Sequence, residues 1–202
     1  MDSFKLVGFF LILEVLLWGA VAAGLSYLAA GPIMDAAHMD ITHYSRYLAP
    51  LVEEGFKAAL LVWLFTRDRI GFMIDAAILG VAVGAGFALA ENVYYAYLFS
   101  STDIGLWMVR GLGTAIMHSG VSAVFAVTAQ TLRERHNAKG LFAYLPGYLI
   151  AASLHSMYNQ FQVWPIYSTA GTLIILPLAL VLVFDKSEHE MHNWLIQDYE
   201  TD

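Results

Sequence analysis

Residues 75–99 read DAAILGVAVGAGFALAENVYYAYLF, a run long and apolar enough to cross a bilayer, which takes roughly twenty residues of helix. Only Asp75 at its start and Glu91 and Asn92 inside it bring charge or an amide into the run. Gly80, Gly84 and Glu91 fall on one stripe at offsets of four and seven, and small residues let membrane helices approach closely. Glu91 is therefore predicted to point into a helix bundle rather than at lipid, since an ionisable group in hydrocarbon is costly and marks function by default.

The surrounding sequence has the same character. The chain has 202 residues, 59% hydrophobic and only 13% charged, with a mean hydropathy of +0.62; a soluble domain carries about 25% charged residues. Apolar runs between polar breaks predict six spans, at roughly 4–30, 50–66, 72–99, 106–131, 141–163 and 166–184. The expected fold is an all-α, polytopic membrane helix bundle of about six transmembrane helices. It forms a single domain over 1–184, followed by an acidic tail at 185–202. No repeat or linker divides the chain, so any chemistry must sit on membrane helices. The first apolar run is too long for a cleavable signal peptide, and Asp2 offsets Lys5 ahead of it. The segment MDAAHMDITHYSRYLAP (34–50) is expected to lie along the interface as a short helix ending at Pro50.

The formal net charge of −7 resides mainly in the tail, where six acids face the single base Lys186. The bases are topology markers: Lys5, Arg67, Arg69, Arg133, Arg135, Lys139 and Lys186 share one side of a six-span arrangement, against Arg46 and Arg110 on the other. Basic residues accumulate in short cytoplasmic loops. Both termini are thus predicted to be cytoplasmic in a multi-pass cell-membrane protein. The absence of cysteine excludes disulfide frameworks, thiolate metal sites, cysteine nucleophiles and iron–sulfur clusters. The expected partners are the lipid bilayer and a membrane-anchored protein substrate, with no nucleic acid.

Further polar groups lie within the spans. The second opens PLVEEGFKAALLVW (50–63) and sets Glu53, Glu54 and Lys57 within five residues. Gly111, Thr114, His118 and Ser122 form a stripe in the fourth span, and His155, Asn159 and Gln162 form one in the fifth. At about 1.5 Å rise per residue, Glu91 lies roughly 12 Å below Phe99, and His155 roughly 12 Å below Val163. His118 reaches a similar depth if Arg110 snorkels to the outer interface, and Glu53 is shallower, just inside Pro50. All four fall in the extracytoplasmic half. Carboxylates and imidazoles at one level suit two chemistries. One is a metal site, since Glu oxygens and His nitrogens are zinc-type ligands. The other is metal-free hydrolysis, with a glutamate as general base on water and His and Asn as oxyanion donors. The residues alone leave both open, so no cofactor is assigned beyond a divalent metal such as zinc in the first alternative.

EEGFK (53–57), FALAEN (87–92), His118 and HSMYN (155–159) resemble the motif series of the PrsW-type intramembrane proteases, relatives of the CAAX prenyl proteases and of bacteriocin-processing membrane proteins. The resemblance covers roughly residues 46–163. The wider superfamily commonly has Arg four positions after the second Glu of its first motif, whereas Lys57 stands three after Glu54, the PrsW-like form. Where the CAAX branch has His four after Phe, this chain has Glu91 after Phe87, which argues against a prenyl-protein substrate. The resemblance implies hydrolysis of peptide bonds within or beside the membrane. Glu53 would activate water, and Glu54 would accompany it, paired with Lys57. His155 and Asn159 would bind the scissile carbonyl, and Glu91 and His118 would complete the pocket. A metal would be held by Glu53, Glu91, His118 and His155, with Phe87 and Asn92 in support. PrsW-like members are associated with cleaving membrane-anchored anti-sigma factors on the outer side.

Structural readings compete with these. Any single intramembrane Glu or His is often a packing contact, and Glu54 with Lys57 suits a buried pair that fixes the second span. Glu14 has no evident partner, Arg110 is expected as an interface anchor, and Asp75 is expected either to be solvated or to cap its helix. The tail run EHEMH (188–192) lacks HExxH spacing, and no GxSxG, HExxH or GxGD sequence occurs. Two other functions remain: a non-catalytic scaffold or substrate-binding protein on the same fold, and a proton- or ion-coupled transporter. The inverted-repeat signature usual in transporters is missing.

Overall fold

The computed structural model describes residues 7–98 and 104–160, together with positions 167, 169–171, 173–174, 177–178 and 181. All regular structure among the described residues is helical: α1 (Phe9–Ala37), α2 (Ile41–His43), a π turn (Tyr44–Leu48), α3 (Ala49–Thr66), α4 (Met73–Leu98), α5 (Ile104–His136) and α6 (Leu141–Gln160). Among the described residues, three helices are long and apolar enough to cross a membrane: α1, α4 and the Met108–Glu134 part of α5. The six-span expectation is therefore met in part. Among the other expected spans, α3 carries Glu53, Glu54 and Lys57 and α6 carries His155 and Asn159. The polar groups that make these two helices interesting are those that dilute their hydropathy. The expected sixth span and the acidic tail lie largely outside the described residues; the described positions between 167 and 181 are helical.

Two boundaries differ from the sequence reading. Helix α1 continues through Pro32 to Ala37 instead of stopping near residue 30, as transmembrane helices tolerate proline where neighbours satisfy the freed backbone. It ends at His38 in the left-handed conformation (φ 52°), with the Met39 N–H returning to the Met34 carbonyl at 3.0 Å, the hydrogen-bonded stop that closes many helices. The second difference is at Pro50, which does not end the interfacial segment. Asp40 caps α2 by accepting from the N–H groups of Thr42 and His43. The His43 N–H, chiefly, holds the Asp40 carboxyl below its ordinary range. The chain then passes through the π turn directly into α3, with Pro50 in its first turn, where a missing N–H breaks no bond within α3.

Helix α4 is the centre of the bundle, packed on α5 along one face and on α1 along another. The α4–α5 pair is antiparallel and close because glycine permits it: a Cβ added at Gly84 would land on the main chain of His118 and Ser119. On the other side a Cβ at Gly86 would strike the Leu16 carbonyl of α1. At the N-terminal end of α4 Asp75 is buried rather than solvated, and its Oδ2 accepts from the Phe72 N–H at 3.1 Å, so of the two expectations for it the cap is met. The core runs through Leu61, Leu64 and Phe65 of α3, Leu79 and Val83 of α4, and Met117, Val121 and Phe125 of α5. Gly84→Val is expected to push α5 outward and lower stability by about 1–3 kcal/mol, the usual cost of overpacking. Thermal unfolding in detergent measures this, and Ala85→Val on the same helix, at a half-buried position, serves as the control.

Candidate active site

Each of the inner four helices contributes one turn to a polar cluster in the apolar interior. Helix α3 brings Glu53, Glu54 and Lys57. The lysine is fully buried, and its Nζ lies 2.5 Å from Glu54 Oε1. Helix α5 brings His118, whose Nδ1 is 3.1 Å from Lys57 Nζ and whose Nε2 is 3.0 Å from Glu91 Oε2 of α4. Helix α6 brings His155, whose Nδ1 is 2.8 Å from Glu54 Oε1 and whose Nε2 is 3.7 Å from Glu53 Oε2. The two imidazoles meet edge to face with centroids 4.8 Å apart. Phe87 closes one wall, its ring 4.7 Å from that of His118 and 4.9 Å from Lys57 Nζ.

The partners determine the tautomers. A lysine ammonium only donates, so His118 accepts at Nδ1 and donates from Nε2 to Glu91. A carboxylate only accepts, so His155 donates from Nδ1 to Glu54. That leaves the lone pair of His155 Nε2 turned towards Glu53. Glu53 Oε2 is itself buried and has no hydrogen-bond partner among the described residues. Two acceptors thus face each other with no donor between them, an arrangement that a shared proton, a cation or a water would relieve. Glu53 and Glu91 are also the carboxylates of the cluster with some access, their side chains 16% and 21% exposed, against 3% for Glu54.

Those observations test the fit of a metal. Among the described residues, Glu53, His118 and His155 offer ligand atoms that all lie within 4.8 Å of one another. His155 is already oriented by a carboxylate at its other nitrogen, the usual support of a metal-bound imidazole. Both nitrogens of His118 are engaged, so ligation there requires exchanging its contact with Lys57 or Glu91. Glu91, expected as a fourth ligand, lies behind His118 as its hydrogen-bond acceptor.

Other expected residues lie around this centre. Asn92 ties α4 to α5, its Oδ1 accepting from Thr114 Oγ1 at 3.1 Å. The Arg110 guanidinium lies over the Tyr95 ring at 4.3 Å. Glu14 is exposed on α1, and Gln162 lies outside the described residues. Asn159, for which the resemblance implies carbonyl binding, donates its Nδ2 to the Ser45 carbonyl at 2.8 Å. Three contacts were not foreseen: Ser156 Oγ donates to the Arg46 carbonyl at 2.6 Å, Tyr148 Oη to the Leu51 carbonyl at 2.8 Å, and Trp18 Nε1 to the Phe56 carbonyl at 2.9 Å. All three acceptors are main-chain oxygens, which no side-chain pattern announces. The one available signal was the position of Ser156 beside His155.

An all-helical membrane protein with carboxylates and imidazoles gathered between its helices is the class that fold and site define. The family model for PrsW family intramembrane metalloproteases matches residues 8–184, and the chain belongs to that family. The match extends the motif region at both ends, to α1 and to the expected last span. No curated protein and no solved structure matches the chain.

Proposed function

We propose that the protein is an endopeptidase that hydrolyses peptide bonds of membrane-anchored proteins, with Glu53 as the residue that activates water. Membership of an intramembrane protease family supports proteolysis, and the orphaned Glu53 Oε2 facing the His155 lone pair carries the assignment of the water site. Glu53 takes a proton from water as the water oxygen bonds to the scissile carbonyl carbon. The carbon–nitrogen bond then breaks, and the proton passes to the departing amine. His155 is kept in its productive tautomer by Glu54, and Glu54 is neutralised by Lys57 rather than taking part in proton transfer. A divalent metal held by one oxygen of Glu53 with His118 and His155 would supply a Lewis acid for the carbonyl and a more acidic water, leaving the second carboxylate oxygen of Glu53 to take the proton.

The wider setting belongs to the same reading. The chain spans the membrane six times as one domain, with both termini and the acidic tail in the cytoplasm. The site opens in the extracytoplasmic half, where an anti-sigma-like, membrane-anchored substrate is cut. Elemental analysis of the purified full chain tests the metal: one zinc per chain is expected. Chelation should remove activity, and His118→Ala should weaken zinc binding by at least about 10-fold. Full activity in metal-depleted protein would assign Glu53 to metal-free general-base catalysis.

A further inference from the structure

The junction between the π turn and α3 leaves two successive carbonyls without their helical partners. In an α-helix the Ser45 carbonyl would accept from the Ala49 N–H, but that N–H bonds Tyr44 instead, one residue further back. The Arg46 carbonyl would accept from residue 50, which is proline and has no N–H. These are the two oxygens that α6 fills, with Asn159 Nδ2 on Ser45 and Ser156 Oγ on Arg46. His155, in the same turn of α6, holds Glu54 and faces Glu53. One turn of α6 therefore grips both the side chains of the site and the backbone just before them.

From this geometry we infer that Ser156 and Asn159 are positioning residues, which stabilise the π turn and thereby aim Glu53 at His155. A π turn carries one residue more than an α turn. If it relaxed to α geometry, the Ala49 N–H would return to Ser45, and the segment before Pro50 would rotate by about 100° relative to Glu53. Part-buried carbonyls resist being left unpaired: Asn159 supplies the donor that Ser45 loses in the π form, and Ser156 supplies Arg46 with the donor that Pro50 lacks. Asn159 then acts through the backbone rather than on a substrate carbonyl. The inference rests on the proposed role of Glu53 for its consequence but not for its geometry.

The test follows amide hydrogen exchange across residues 44–54 of the full chain in lipid nanodiscs, and zinc affinity by calorimetry with zinc alone. Ser156→Ala and Asn159→Ala should each accelerate exchange at Leu48 and Ala49 by roughly five- to ten-fold, the scale of one lost hydrogen bond. Exchange along α4 and α5 should stay unchanged. Zinc affinity should fall by a similar factor, and Ser156→Thr, which keeps the hydroxyl, should behave as wild type. Unchanged exchange in either alanine variant would overturn the inference, as would acceleration spread equally over α4 and α5. Local acceleration with undiminished zinc affinity would overturn it too, because Glu53 would then hold its aim without the clamp. If the wild-type chain takes up no zinc, the metal part of the proposed function fails, and exchange alone decides the clamp.

Discussion

Glu53→Gln should abolish proteolysis while leaving the helix bundle folded in the membrane. The amide is nearly isosteric with the carboxylate, and Glu53 Oε2 has no hydrogen-bond partner among the described residues to lose. The substitution removes only the capacity to take a proton or to ligate a cation. Loss of a general base typically lowers the rate by about 10²–10⁴-fold. Membrane proteomes of cells carrying wild type or the variant are the direct readout: a membrane-anchored protein should appear cleaved only with wild type. Cleavage that continues with Glu53→Gln would sink the assignment. His155→Ala should also stop cleavage, but with some loss of stability, because it removes a donor from the buried carboxylate of Glu54.

Lys57→Met should be the most destabilising single change in the site, at about 3–5 kcal/mol, the range for breaking a buried ion pair from one side. Lys57 and Glu54 are both buried and in direct contact, and Lys57 also donates to His118. Methionine leaves the Glu54 charge in an apolar interior with only His155 beside it. The penalty should appear as a lowered unfolding temperature in detergent. Adding Glu54→Gln should recover part of it, since two neutral partners of similar shape are far less costly than one stranded charge. A double variant no more stable than Lys57→Met alone would show that the pair is not what holds this turn.

Together these variants separate two roles that lie side by side in the sequence. Glu53 and Glu54 are consecutive, yet one is orphaned and partly accessible while the other is buried between a lysine and a histidine. Successive residues on a helix point about 100° apart, so neighbours in sequence enter different surroundings. Changing Glu53 should affect chemistry first, and changing Lys57 should affect folding first. A purely structural cluster predicts instead that both act only on stability, with no substrate losing its cleaved form.

The helices themselves were largely legible. The predicted runs 50–66 and 72–99 differ by a residue from α3 and α4, because an apolar stretch bounded by polar breaks is a local property. Glu53, Glu54, Lys57, Glu91, His118 and His155 were legible as well, since each is an ionisable group where composition forbids one without a reason. The packing of α1 was less so. Its contact with α4 depends on Gly86 meeting Leu16, and the glycine stripe of α4 specifies close approach without specifying the partner helix. The passage through Pro50 is not legible in the sequence, because a proline reads as a stop there, whereas it sits in the first turn of α3.

What the sequence by itself determined is the class of molecule and its set of chemical groups: a membrane helix bundle with carboxylates, imidazoles and one lysine kept inside it. Apolar length and the cost of burying charge act residue by residue, so they are readable without coordinates. Only the tertiary structure decided the pairing: Lys57 with Glu54 and His118, Glu91 behind His118, Glu53 left open to His155, and Asn159 and Ser156 on the carbonyls before Pro50. Hydrogen bonds depend on direction and on distances of about 3 Å. Those follow from how four helices and a π turn meet, not from the spacing of residues along any one of them.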